Sequence, residues 1–244
     1  MASLCSASLL FPASERCMSM FPTEADVLGS VTNAAFSMKN WTKHGLDPSF
    51  GGRPYPYLED YRRLDGHPLR REMVFSHSYE SVRKGIISSI KWGFPTGGRP
   101  GGPWRQFSAA FRSDLLEEMV QQFRSNRNIC GSHLISRLNS AVPGVGTATT
   151  TKIAYFAGLT TADGACMIYD SMVRRAIAVS PWPEFQALRQ TINSRSADLS
   201  IKQQLDTYPQ YLRGLNDGAA RRGVQPSQIE LFLFNQGRLL PARR

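Results

Sequence analysis

The chain has only four cysteines in 244 residues, at positions 5, 17, 130 and 166, and only six lysines. Four dispersed thiols are too few for a disulfide framework, and they lack the paired spacing of a zinc site or the close spacing of an iron–sulfur cluster. Cys130 and Cys166 read as small core residues. The four histidines (44, 67, 77 and 133) show neither H-x-x-x-H nor H-E-x-x-H spacing, so no metal is expected. No apolar run approaches the ~18 residues of a membrane span. The first sixteen residues, MASLCSASLLFPASER, lack a basic start, and their apolar run stops at Pro12, which leads to the expectation of a cytoplasmic protein. Neither G-x-x-x-x-G-K-[ST] nor G-x-G-x-x-G follows a strand pattern, so no nucleotide cofactor is expected and the cofactor expectation is none.

Acidic residues are also scarce. Lys and Arg total 29 against 19 Asp and Glu, giving +10, and 23 of the basic residues are Arg. The planar guanidinium binds phosphate in two-point fashion, so this skew points to nucleic acid or another polyanion, with an arginine-using composition as the plain alternative.

Periodicity predicts a mainly α fold, as a helical bundle with few strands. An amphipathic stretch spans 24–39, and a loop follows at 49–56. A short helix is predicted over 57–64 and a longer one over 78–92. Residues 93–104, GFPTGGRPGGPW, hold five Gly and three Pro and cannot be helix or central strand. They are read either as the boundary between an N-terminal helical region (1–104) and a helical domain (105–244), or as a loop beside a site between two helical subdomains. Helices are then predicted at 107–124, with Phe111, Leu115, Met119 and Phe123 as its apolar stripe, and at 132–142, 146–157, 167–179, 200–222 (broken near Pro209) and 226–237.

The most informative segment is 134–158, LISRLNSAVPGVGTATTTKIAYFAG, whose grammar is helix, tight turn, helix. The glycines of Pro143-Gly144-Val145-Gly146 let the backbone turn sharply and approach another backbone. Val145 can plug between the helices, while free N–H groups at the second helix's start favour a phosphate. Gly144, Val145, Gly146, Thr147 and Thr149 are therefore candidate DNA-backbone contacts, with Arg174 as a further phosphate contact. Such a grip carries no sequence information. Trp92 and Trp104 are candidates to stack on an extruded base, with core packing as the alternative.

This arrangement resembles the helix-hairpin-helix of the DNA glycosylase superfamily with a downstream catalytic Asp. More narrowly, GVGTATTTKIAYFAG followed by CMIYDSMVRRAI is similar to the bacterial 8-oxoguanine DNA glycosylase-like family. The resemblance covers about residues 130–180 well and ELFLFNQGR loosely. It implies a partner, double-stranded DNA with a damaged or modified base, and a glycosylase that is also a lyase. A monomer is the expectation.

In such chemistry an amine attacks the anomeric carbon and a carboxylate supports proton transfer and developing charge. The resemblance assigns these roles to Lys152 and Asp170, eighteen residues apart. One departure stands out. The superfamily's usual lysine position, directly after G-V-G-T, is Ala148 here, and Lys152 lies four residues on, roughly 6 Å along the helix axis. The bacterial family places its lysine at this later position. Plain alternatives are a phosphate-contacting or solvent-facing Lys152 and an Asp170 that only caps a helix. If the pair is a site, its functional groups should lie within about 8 Å in one cleft. The rival reading for the whole chain is a non-catalytic helix-hairpin-helix module that binds DNA or recruits partners. Similar bacterial proteins also occur in antiviral defence gene clusters, so another modified base is an alternative substrate.

Overall fold

A computed structural model describes residues 21–29, 35–43, 57–97, 104–192 and 199–240. The predicted loop at 49–56, residues 98–103 of the turn-rich stretch, Cys5 and Cys17 lie outside the described residues, as do the side chains of Trp104 and Arg105. The described residues are mainly α. In chain order the helices are α1 (Glu24–Gly29), α2 (Met38–Lys43), α3 (Leu58–Arg63), α4 (Arg71–Glu80), α5 (Val82–Gly93), α6 (Trp104–Arg112), α7 (Asp114–Ser125), α8 (Gly131–Ala141) and α9 (Thr147–Phe156). A two-residue-per-strand hairpin, β1 (Thr160–Thr161) with β2 (Gly164–Ala165), precedes α10 (Ser171–Val179). A 3-10 turn (Pro183–Phe185), α11 (Gln186–Thr191), α12 (Ile201–Arg222) and α13 (Pro226–Leu239) complete the order.

Several predicted helices are broken by a capping serine. Ser81 is extended and accepts a hydrogen bond from Lys84 N, so the 78–92 helix is really α4 and α5 folded against each other. Gly85 permits this fold, because a methyl there would lie 2.7 Å from Ser78 Cα. Ser113 likewise caps α7 through Leu116 N at 3.0 Å. Phe111, Met119 and Phe123 of the predicted stripe are buried, whereas Leu115 is half exposed and Leu116 and Val120 are buried beside the stripe. The 24–39 helix is interrupted too: Phe36 is non-helical, its N–H bonded to His67 O and its carbonyl taken by Gly66 N.

Other departures have tertiary causes. Residues 166–170 form neither helix nor strand, and α10 begins only at Ser171. Side chains take their carbonyls: Tyr208 binds Met167 O, Tyr211 binds Ile168 O at 2.7 Å and Arg174 binds Tyr169 O. Conversely, α12 runs unbroken through Pro209, its buried face anchored by Tyr208, Tyr211, Leu212 and Leu215. One hydrophobic core, from Phe21 to Leu233, gathers residues from both sides of the 93–104 segment. Within it α9 packs on α5, α4 on α5, α12 on α8, and α10 on α13. These contacts bring the start of α9, the end of α5 and the approach to α10 to one place. No described helix is long and apolar enough to cross a membrane.

Candidate active site

The glycine turn forms as its sequence dictates. Val145 N–H closes back onto Val142 O, and Gly144 sits at φ +85°, a conformation a side chain would strain. Val145 is buried between α8 and α9, while Gly144 and Gly146 are exposed. A methyl at Gly144 would meet the Gln106 side chain, whereas one at Gly146 would meet nothing within 4 Å. Gly146 caps α9 with no side-chain hydrogen bond. The backbone N–H groups of the first helical turn are thus the donors at this exposed end. Thr147 and Thr149 are themselves buried. The Thr147 hydroxyl accepts from Asn139 Nδ2, and Thr150 donates to Asn139 Oδ1, which ties the two helices together.

Lys152 lies in the second turn of α9 with its side chain only 9% exposed. Its Nζ is 3.6 Å from Asp170 Oδ2, well inside the separation set out from sequence. Asp170 divides its two oxygens between two tasks. Oδ1 accepts from Met172 N (3.0 Å) and Val173 N (3.1 Å), capping α10, and Oδ2 faces the amine. Capping therefore fixes the carboxylate's direction while the helix start stabilises its charge. The segment leading to Asp170 is pinned to α9 itself by Thr151 Oγ1, which accepts from Tyr169 N at 3.2 Å. On the opposite side, the end of α5 closes over the lysine stem: a methyl at Gly93 would lie 3.1 Å from Lys152 Cδ.

Behind the pair stands a buried ionic group that sequence reading missed. Arg71 on α4 and Glu230 on α13 are both fully buried and bonded at two points, 2.6 and 3.2 Å apart. Arg71 also donates to the Tyr155 hydroxyl, one turn beyond Lys152. Burial pushes the Glu230 carboxyl above the usual carboxylate range; Arg71 offsets only part of this, and Asp170 adds to the rise while Lys152 opposes it. Burial alone would lower the Arg71 guanidinium, but Glu230 and Tyr155 more than reverse that, so it stays charged. The available signal was a glutamate embedded in the apolar run Ile229–Glu230–Leu231.

Two sequence-derived site residues sit elsewhere. Trp92 is 4% exposed, with the Arg71 guanidinium 5.3 Å over its ring and Phe156 edge-on at 5.2 Å. It belongs to the core and has no open face for a base. Arg174 is also turned inward, onto the Tyr169 carbonyl and ring, and is 5% exposed, which takes it away from a phosphate-contacting surface. Trp104 begins α6, and its side chain is outside the described ones. Among the described residues, no group of three or more His, Cys, Asp or Glu could hold a metal ion. Cys130 is exposed and Cys166 is buried, with burial pushing the latter's thiol up to about 12.

Fold and pair together define a helical protein with a sheltered amine–carboxylate site just beyond a glycine turn. Comparison with known families agrees with that class. The family described as "Putative 8-oxoguanine DNA glycosylase OGG-like protein" matches residues 32–234, and the chain belongs to it. Searches of curated proteins and of solved structures gave no significant match.

Proposed function

We propose that this protein is a DNA glycosylase with lyase action on an oxidised purine of the 8-oxoguanine kind, with duplex DNA as its partner. The observation that carries this reading is the sheltered Lys152–Asp170 pair, 3.6 Å apart at the start of α10. Membership of a family with that description supports the reading. The net charge of +10 and the exposed glycine turn suit a phosphate backbone.

In this scheme Gly144–Thr149 hold the strand through backbone N–H groups, and the damaged base leaves the stack at a cost of a few kcal/mol. The Lys152 amine attacks C1′ of the sugar. The bond from C1′ to the base nitrogen breaks, and its electron pair leaves with the base, which takes up a proton. Lys152 loses a proton, the C1′–O4′ bond breaks with its electron pair and a proton going to O4′, and an iminium is left between Nζ and C1′. Loss of a C2′ proton then expels the 3′ phosphate oxygen and cuts the strand. Asp170 accepts the amine's proton and balances the positive charge that develops at C1′.

Borohydride reduces the iminium to a stable amine, so it tests the scheme. Duplexes carrying 8-oxoguanine or an abasic site are expected to give a covalent complex with the wild type and none with Lys152→Gln. DNA binding without trapping would favour a non-catalytic binding module. Base release without trapping would favour a glycosylase in which Asp170 activates water.

A further inference from the structure

The buried Arg71–Glu230 pair poses a physical question. Desolvating two charges costs several kcal/mol each, and well-packed apolar residues often serve stability as well or better. Such a pair is therefore weak evidence for stability, and its surroundings indicate what else it does.

Those surroundings are the elements that build the site. Arg71 opens α4, which packs along α5, and the guanidinium lies over Trp92, the residue before Gly93. Gly93 is the position whose Cα side closes on the Lys152 stem. The same guanidinium donates to Tyr155 Oη on α9, three residues from Lys152 and so on a neighbouring strip of the helix. Glu230 extends the link to α13, whose Gly237 lies directly against Met172 in the first turn of α10. Met172 N–H is one of the two donors that orient Asp170. One guanidinium thus ties together the segment covering the lysine, the helix bearing it, and the helix supporting the carboxylate. Among the described residues, Arg71 Nε and Trp92 Nε1, both buried, have no hydrogen-bond partner. Leaving such donors unmet is unfavourable.

We propose that Arg71 and Glu230, with Tyr155, are positioning residues that hold the Lys152 amine and the Asp170 carboxylate in reacting geometry. The inference rests on the glycosylase/lyase reading above. Neither residue touches DNA in this scheme. They act through α9 and α13, and a displacement on the order of 1 Å at the pair can cost up to ~10²-fold in rate.

The test uses the full chain and an abasic duplex at saturating concentration, with borohydride trapping rate, DNA dissociation constant and urea unfolding measured side by side. The double variant Arg71→Met/Glu230→Leu removes both charges while keeping the space filled. Expected are an unfolding midpoint no lower than that of the wild type, unchanged DNA affinity and trapping slowed at least ~10-fold. Tyr155→Phe, which keeps the ring and removes only the acceptor for Arg71, provides a second variant for which misfolding is not a concern. Its trapping is expected to slow about threefold, or ~0.7 kcal/mol in barrier, at unchanged affinity. Wild-type trapping rates in both variants would overturn the positioning role. So would a loss that follows stability or DNA affinity rather than the trapping rate. If the wild type itself never traps DNA, the glycosylase/lyase reading fails, and this inference falls with it rather than on its own account.

Discussion

Gly237 is the most exacting position in the support of Asp170. A methyl added there would collide with the Met172 carbonyl oxygen and lie 2.6 Å from its carbon and 3.0 Å from its Cα. Carbon atoms in contact sit about 3.5–4.0 Å apart, so α10 and α13 would have to separate by about 1 Å. The obstacle is backbone, which cannot rotate away. Forcing an extra carbon into a packed interface costs roughly 1–3 kcal/mol, while alanine returns at most ~1 kcal/mol of helix propensity. Gly237→Ala should therefore lower unfolding free energy by about 1–2 kcal/mol. The functional consequence should be larger, because the peptide that moves, Met172 C=O with Val173 N–H, carries an N–H that donates to Asp170 Oδ1. Trapping on an abasic duplex is expected to slow about 10- to 100-fold with DNA affinity retained. Urea unfolding and single-turnover trapping measure the two effects. A Gly237→Ala protein as stable as wild type would refute the packing argument. A destabilised protein that traps at the wild-type rate would refute the link from α13 to Asp170.

Further perturbations separate the parts of the site. Asp170→Asn keeps an oxygen able to cap α10, so stability should change by less than about 1 kcal/mol, while trapping falls at least ~10² -fold; equal trapping would remove Asp170 from the chemistry. Gly146→Ala adds a methyl into open space at ordinary φ. Stability should fall by no more than about 1 kcal/mol, the cost of alanine at an N-cap, but duplex affinity in a salt titration should drop because the backbone can no longer approach a phosphate closely. Unaltered affinity would take the turn out of the DNA interface. Gly144→Ala, at φ +85° and against Gln106, should instead cost about 1–3 kcal/mol in urea unfolding, and a neutral result would contradict the turn geometry. Burial, aided by Lys84, holds the His77 imidazole below its ordinary 6.5. The unfolded chain then binds a proton that the folded chain refuses, so stability should fall as pH drops through about 6.5. In His77→Gln this slope, followed by urea unfolding between about pH 7.5 and pH 5.5, should flatten.

Local chemistry made much of this molecule legible from sequence. The glycine turn, α8, α9 and the closing helix follow from periodicity and turn residues alone. Lys152 and Asp170 were reachable through the family resemblance of the glycine-turn segment and CMIYD, with the scarcity of lysine narrowing the choice of amine. What escaped depended on distant partners. The 166–170 segment resembles a helix beginning until Tyr208 and Tyr211, some forty residues later, claim its carbonyls. Trp92 offered an aromatic face that only tertiary packing shows to be occupied by Arg71 and Phe156. The Arg71–Glu230 pair spans 159 residues, a separation at which no local pattern can signal contact. Serines 81 and 113 were overlooked for a simpler reason: a cap inside an amphipathic run leaves the apolar period nearly intact while breaking the helix.

The central claim is that the Lys152 amine is the nucleophile. The most direct measurement is borohydride reduction on an abasic duplex, followed by proteolysis and mass spectrometry of the peptide carrying the sugar remnant. The remnant is expected on Lys152 alone, with no adduct formed by Lys152→Gln. A remnant on any other amine, or no adduct from wild-type protein that binds the duplex, would contradict the account.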